Sequence, residues 1–251
     1  MPLARADLES LLRARQLDRT LTTSLPPLTP GDDHSVASSD ISALDARLGG
    51  GVPRGQLSEI VGPRSSGRTS VLLQLLAAAT ARGELVAVVD ALDMLDVESA
   101  AAAGVDLERL LWVRGHVVTS PGMCRDLNQR ALEQALRAVA LVLQAGNFGV
   151  VAFDAAEAPP DALRRLPFTT WLRLQRMVEG SQTACVLVGS EAMARSSAGL
   201  TVKCGMRNAE CGLRFGDHVF DGLNVEARIV RARAHGREEA AVAFATVAHS
   251  A

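Results

Sequence analysis

The sequence predicts an α/β fold: a mainly parallel, twisted sheet flanked by helices, with antiparallel strands near the C-terminus. Three observations carry this. Strand-like and helix-like segments alternate from residue 41 onward. The strand-like segments are apolar throughout, the mark of strands covered on both faces. One of the first of them runs into a glycine-rich loop that opens a helix. The 251 residues can bury a sizeable core. With 48% hydrophobic and 22% charged residues, disorder of the whole chain is excluded.

The chain divides at residue 40. Residues 7–19, DLESLLRARQLDR, read as an amphipathic helix with Leu8, Leu11 and Leu12 on one face and Asp7 able to cap its start. Residues 20–40 collect Thr, Ser, Pro, Gly and Asp and read as a linker or arm. A helix this short is marginal alone in water. It is expected to pack on its own core or on a neighbouring chain. Residues 41–251 form the main domain. ISALDARLGG is a helix stopped by glycines, and QLSEIVG a strand ending at Gly62. Residues 69–82 form an alanine-rich helix, and ELVAVVD a strand ending at Asp90. Then follow a helix over 94–103, a strand at LLWVR and a long helix over 125–145. FGVVAFD is a strand ending at Asp154, 170–179 a helix, and TACVLVG a further strand. Residues 200–248 alternate, as in NVEARIVRARA, and read as edge or antiparallel strands.

Composition narrows the function classes. Net charge is −2, so no general basic excess supports duplex binding. The four cysteines, Cys124, Cys185, Cys204 and Cys211, have neither zinc spacing nor a disulfide-framework pattern. They read as reduced thiols of a cytoplasmic protein. Met1–Thr20 is polar and charged, so a signal peptide is not expected, and no apolar run is long enough to span a membrane.

The chemistry lies in Gly62-Pro63-Arg64-Ser65-Ser66-Gly67-Arg68-Thr69. This fits the phosphate-loop pattern G-x-x-x-x-G-K-[ST] except that Arg68 replaces the lysine. Glycines let the backbone curl its N–H groups inward, and the helix N-terminus adds partial positive charge. Thr69 offers a hydroxyl to Mg²⁺. Arginine keeps the charge of lysine in a larger, forked group. Asp154, at a strand end, is placed to hold Mg²⁺ directly or through water. An ordinary Gly/Ser turn and a loop-start aspartate are the plainer readings of the same residues.

At these residues the chain resembles the RecA family of recombination ATPases. GVPRGQLSEIVGPRSSGRTSVLLQLLAAATARG looks like that family's strand, phosphate loop and helix, and VAVVDALDMLD and AGVDLERLLWVRG like the segments that follow. The likeness runs from about residue 35 to 248 and is most specific over 52–111. The resemblance implies ATP and Mg²⁺ as ligands, a RecA-like core, and no counterpart of the family's C-terminal domain. It places the phosphate-loop lysine on Arg68 and the Walker-B aspartate on Asp154. It places the acid that orients the attacking water on Leu92, which cannot do so; Asp93 is the neighbouring candidate base. The γ-phosphate sensor falls near Ser190. Arg231 and Arg233 look like the family's basic pair that reaches the next protomer, or are simply an exposed strand face. The segments at the DNA-binding loops, 155–168 and 191–200, look short and lack an aromatic stacking platform.

Within that superfamily the chain is most similar to ImuA-type mutasome proteins. This implies an adapter in SOS-induced, error-prone translesion synthesis rather than an enzyme. Its partners would be an ImuB-type Y-family polymerase homologue, an error-prone polymerase and RecA, with weak or indirect DNA contact. Two other readings stand beside it: an active, divergent RecA-type ATPase on single-stranded DNA, and a SulA-like division inhibitor. Lys203 is the single lysine among 26 basic residues. Arg68 thus partly reflects a general arginine bias. No such bias turns an acid into Leu92.

Overall fold

A computed structural model describes residues 36–115, 125–206, 224–232 and 241–245. The predicted helix bearing Leu8, Leu11 and Leu12 lies outside these residues, as does Arg233.

Ten strands lie among the described residues: β1 Val36–Ala37, β2 Val52–Pro53, β3 Leu57–Val61, β4 Leu85–Asp90, β5 Leu110–Arg114, β6 Phe148–Asp154, β7 Ala184–Gly189, β8 Leu200–Met206, β9 Asn224–Ala232 and β10 Ala241–Ala245. Six α-helices accompany them among the described residues: α1 Ser42–Arg47, α2 Arg68–Ala81, α3 Val97–Ala102, α4 Arg125–Ala145, α5 Pro160–Arg164 and α6 Phe168–Val178. Eight strands form one sheet in the order β10-β9-β8-β3-β7-β6-β4-β5. The pairings from β8 through β5 are parallel, and β8–β9 and β9–β10 are antiparallel. The fold class read from the sequence is thus the observed one, with one difference at its edge. β8 was expected as an antiparallel or edge strand, yet it runs parallel beside β3 and turns antiparallel only toward β9.

Apolar strands without alternation need cover on both faces, and both are covered. One core cluster packs α1, α2 and α3 residues, such as Leu44, Leu72, Leu76 and Ala100, on one side. The other packs Leu132, Val139, Leu163, Trp171 and Leu174 from α4, α5 and α6 on the opposite side. α2 is buried nearly all round, which its alanines permit by letting neighbours approach closely.

The boundary at residue 40 is placed too late. Val36–Ala37 pairs with Val52–Pro53, and Ala37 is fully buried in the main core. Gly51 makes this pairing possible. Its φ is +148°, and a Cβ there would lie 2.2 Å from the Ala37 carbonyl oxygen. The buried Asp45 carboxylate accepts the Ser39 N–H and the hydroxyls of Ser38 and Ser39, fixing the approach to α1. Residues 36–40 therefore belong to the core rather than to a free linker.

Candidate functional site

β3 ends at Val61 in the middle of the sheet, and α2 begins at Arg68. The chain between them must reverse tightly. Ser65 (φ +58°) and Gly67 (φ +82°) adopt left-handed conformations to do so. Gly67 has a second role: a Cβ there would meet Val225 of β9 at 2.3 Å. The loop is therefore wedged against a late strand. The Ser66 hydroxyl is buried in it with no hydrogen-bond partner. Such an orphan is costly unless a ligand or water satisfies it.

Beside the loop is a cleft of about 200 Å³. Arg68, Thr69, Leu92, Asp90, Asp154 and Glu157 line it. It sits beyond the carboxyl ends of the parallel strands, where open α/β sheets place their ligands. Asp90 and Asp154 stand opposite each other in register on β4 and β6. Asp90 is buried and accepts the backbone N–H groups of Leu92 (3.3 Å) and Leu95 (2.7 Å), so it holds the turn that follows β4. Asp154 accepts the Ala156 N–H at 2.9 Å. Burial pushes its carboxyl up to about 6; the Ala156 N–H and nearby Arg68 oppose the rise, while Asp90 and Glu157 add to it.

The shift makes stability pH-dependent. The unfolded carboxyl loses its proton near 3.8 and the folded one near 6, so folding is favoured at low pH and weakens between those values. Asp154→Asn keeps the acceptor for Ala156 and removes the charge. We expect it to exceed wild type by about 2 kcal/mol above about pH 7, with no gain below about pH 4, in urea unfolding at both pH values.

Arg68 is buried and turned back on the loop. Its guanidinium donates through Nη1 to the Gly62 carbonyl, and through Nη2 to Glu157 Oε1 (2.7 Å) and the Ala156 carbonyl (3.3 Å). Arg64 Nε donates to the other oxygen of Glu157 at 2.6 Å. Glu157 is the site residue that sequence reasoning missed. Its only signal was an acid three positions past Asp154.

Asp93 does not serve the cleft. Its carboxylate takes two 2.7 Å hydrogen bonds from Arg114, which also lies over the Trp112 ring. Those bonds hold its carboxyl below the usual range. Leu92, in contrast, lines the cleft directly. Ser190 lies elsewhere, in a smaller pocket with Trp171, Arg164 and Arg195. Arg231 is exposed and donates to the Arg195 carbonyl. Arg164 pairs with Asp161 and Glu191.

The residues fit a Mg²⁺-bound phosphate ligand. The curled loop with its unsatisfied Ser66 hydroxyl would take phosphate, and Thr69 with Asp154 would take the metal. Among the described residues no trio of His, Cys, Asp or Glu could hold a metal alone. Mg²⁺ ordinarily needs only one or two protein oxygens plus the substrate's phosphates.

A glycine loop from a central parallel strand into a helix, with a carboxylate at a neighbouring strand end, defines a phosphate-loop protein of the α/β class. Comparison carries this to a family. Residues 29–160 match the RecA N-terminal domain, and the chain belongs to that family. Protein RecA of Acholeplasma laidlawii is 36% identical over 138 residues, covering 54% of this chain and 38% of that protein. Protein RecA of Arthrospira platensis is 44% identical over 107 residues, covering 41% and 27%. That of Mycobacterium ulcerans is 39% identical over 125 residues, covering 49% and 32%. The chain thus spans about a third of the length of these curated relatives. No described helix is long and apolar enough to cross a membrane.

Proposed function

We propose that this chain is a RecA-fold adapter that has given up ATP turnover, an ImuA-type component of SOS-induced, error-prone translesion synthesis in the cytoplasm. One observation carries the reading. The cleft beside the phosphate loop presents Leu92 where the resemblance places the acid that orients water, and the adjacent Asp93 is held by Arg114. Losing a positioned base costs about 10²–10⁴-fold in rate. ATP with Mg²⁺ then acts as a bound ligand that stabilises the fold rather than as fuel. The partners are an ImuB-type Y-family polymerase homologue, an error-prone polymerase and RecA, with the Leu8, Leu11 and Leu12 face as the docking element. DNA contact is weak or indirect, in keeping with Arg164 being paired to Asp161 and Glu191.

An active, divergent RecA-type ATPase on single-stranded DNA is the second reading. The shared cleft of Thr69, Asp90 and Asp154 favours it, because it retains groups suited to hold a metal.

Affinity capture of the full chain from DNA-damaged cells tests the proposal. The ImuB-type homologue is expected to co-purify, and replacing Leu8, Leu11 and Leu12 together by Ser is expected to release it. ATP turnover by the purified chain should match that of Arg68→Ala with or without single-stranded DNA. DNA-stimulated turnover well above that control would establish the second reading instead.

A further inference from the structure

We propose that Glu157 is a built-in counter-anion for the phosphate loop, so that a phosphate ligand binds only by displacing its carboxylate from Arg68 and Arg64. This rests on reading residues 62–69 as a phosphate-binding loop.

The two oxygens of Glu157 are divided between two cations of the same loop. Oε1 lies 2.7 Å from Arg68 Nη2, and Oε2 accepts Arg64 Nε at 2.6 Å. The pairing is built rather than incidental. Arg68's side chain is only 6% exposed, and its other arm is fixed to the Gly62 carbonyl. It cannot swing to solvent to find another partner. Arg64's side chain is 82% exposed, yet it turns onto the same carboxylate instead of extending into water.

Charge-assisted contacts from arginine forks to a carboxylate use the same geometry as contacts to phosphate oxygens. Glu157 therefore competes for the groups that a pyrophosphate moiety would engage. It also leaves the cleft short of net positive charge, since Asp90 and Asp154 face the same space. The Ser66 hydroxyl nevertheless remains buried and unpartnered within the loop. The loop keeps an unmet polar group for a ligand while its cations are already matched. An arginine at position 68 suits this device better than a lysine, because its planar fork can hold the Gly62 carbonyl and the Glu157 carboxylate together. The ligand class is the pyrophosphate group of a nucleoside di- or triphosphate with its Mg²⁺.

Calorimetric titration of the full chain with pyrophosphate and with ADP, each with Mg²⁺, tests the inference. Glu157→Gln keeps the shape and removes the charge. Glu157→Ala removes both, and a melt without ligand verifies that each variant folds. Both variants are expected to bind both ligands about tenfold or more tightly than wild type. Equal or weaker binding by the variants, with wild type binding measurably, overturns the counter-anion and leaves the phosphate loop standing. If neither wild type nor variant binds either ligand in the millimolar range, the phosphate-loop reading itself fails, and the counter-anion with it.

Discussion

Glu59→Ala is expected to destabilise the fold by about 4 kcal/mol, a large part of the roughly 5–15 kcal/mol that holds a domain together. Glu59 sits on β3 within the parallel sheet and is 1% exposed. No cation neutralises it in the ion pairs of the described residues. Three uncharged donors satisfy its oxygens instead: the backbone N–H groups of Met193 and Ala194, both at 2.7 Å, and the Thr201 hydroxyl at 2.9 Å. The carboxylate thus pins residues 193–194 and the start of β8 to the strand that leads into the phosphate loop. Truncation leaves three buried donors unpaired and opens a void in their midst. Urea unfolding should show a lower midpoint, and hydrogen exchange should quicken at the Met193 and Ala194 amides. A stability within about 1 kcal/mol of wild type would show that water replaces the carboxylate.

Arg54→Ala is expected to cost about 3 kcal/mol, and for a different reason. The Arg54 guanidinium is almost wholly buried and reaches four segments. It donates to the carbonyls of Val36 (3.1 Å), Gly149 (3.1 Å) and Gln182 (2.8 Å), and to Glu84 (2.7 Å). These lie in β1, near the start of β6, before β7 and before β4, at the amino end of the sheet. Burial raises the Glu84 carboxyl, and the hydrogen bonds from Arg82 and Arg54 more than offset it, so it ends below the usual range. Removing Arg54 leaves Arg82 as the partner of Glu84 and three carbonyls facing a void. Arg54→Lys should recover only part of the loss, because one ammonium cannot span the fork. Thermal unfolding of both variants beside wild type reads the difference.

The strands were legible because burial on both faces writes itself as continuous apolar runs. LLWVR and FGVVAFD are β5 and β6 to the residue. The two-residue strands β1 and β2 carry no periodicity, and their pairing depends on Gly51 meeting the Ala37 carbonyl, a contact no local pattern encodes. The short helix α5 starts on Pro160 directly after Pro159, and this pair of prolines hid it. The direction of β8 is set by the path of the chain back to β3, not by its residues. In the site, the loop was legible because its tight reversal places glycines close together in sequence, Gly67 among them with φ +82°. The ion pair of Arg68 with Glu157 joins segments far apart in sequence and leaves no trace in either alone. Asp93 was judged by nearness to Leu92. Its φ of +58° instead gives the turn a geometry in which Arg114 holds its carboxylate.

The sheet order has a consequence for how the chain is made. β3 finds its neighbours only in β7 and β8, whereas β4 pairs with β5 and β6 directly. Until β7 and β8 are in place, β3 has no strand on either edge. Bare strand edges template unwanted pairing, and late non-local closure is slow. The phosphate loop hangs from this waiting strand, and Gly67 meets its support only when Val225 arrives. Both partners of β3 lie more than a hundred residues further along the chain. The phosphate loop therefore takes its final shape only when residues far downstream of it close the sheet.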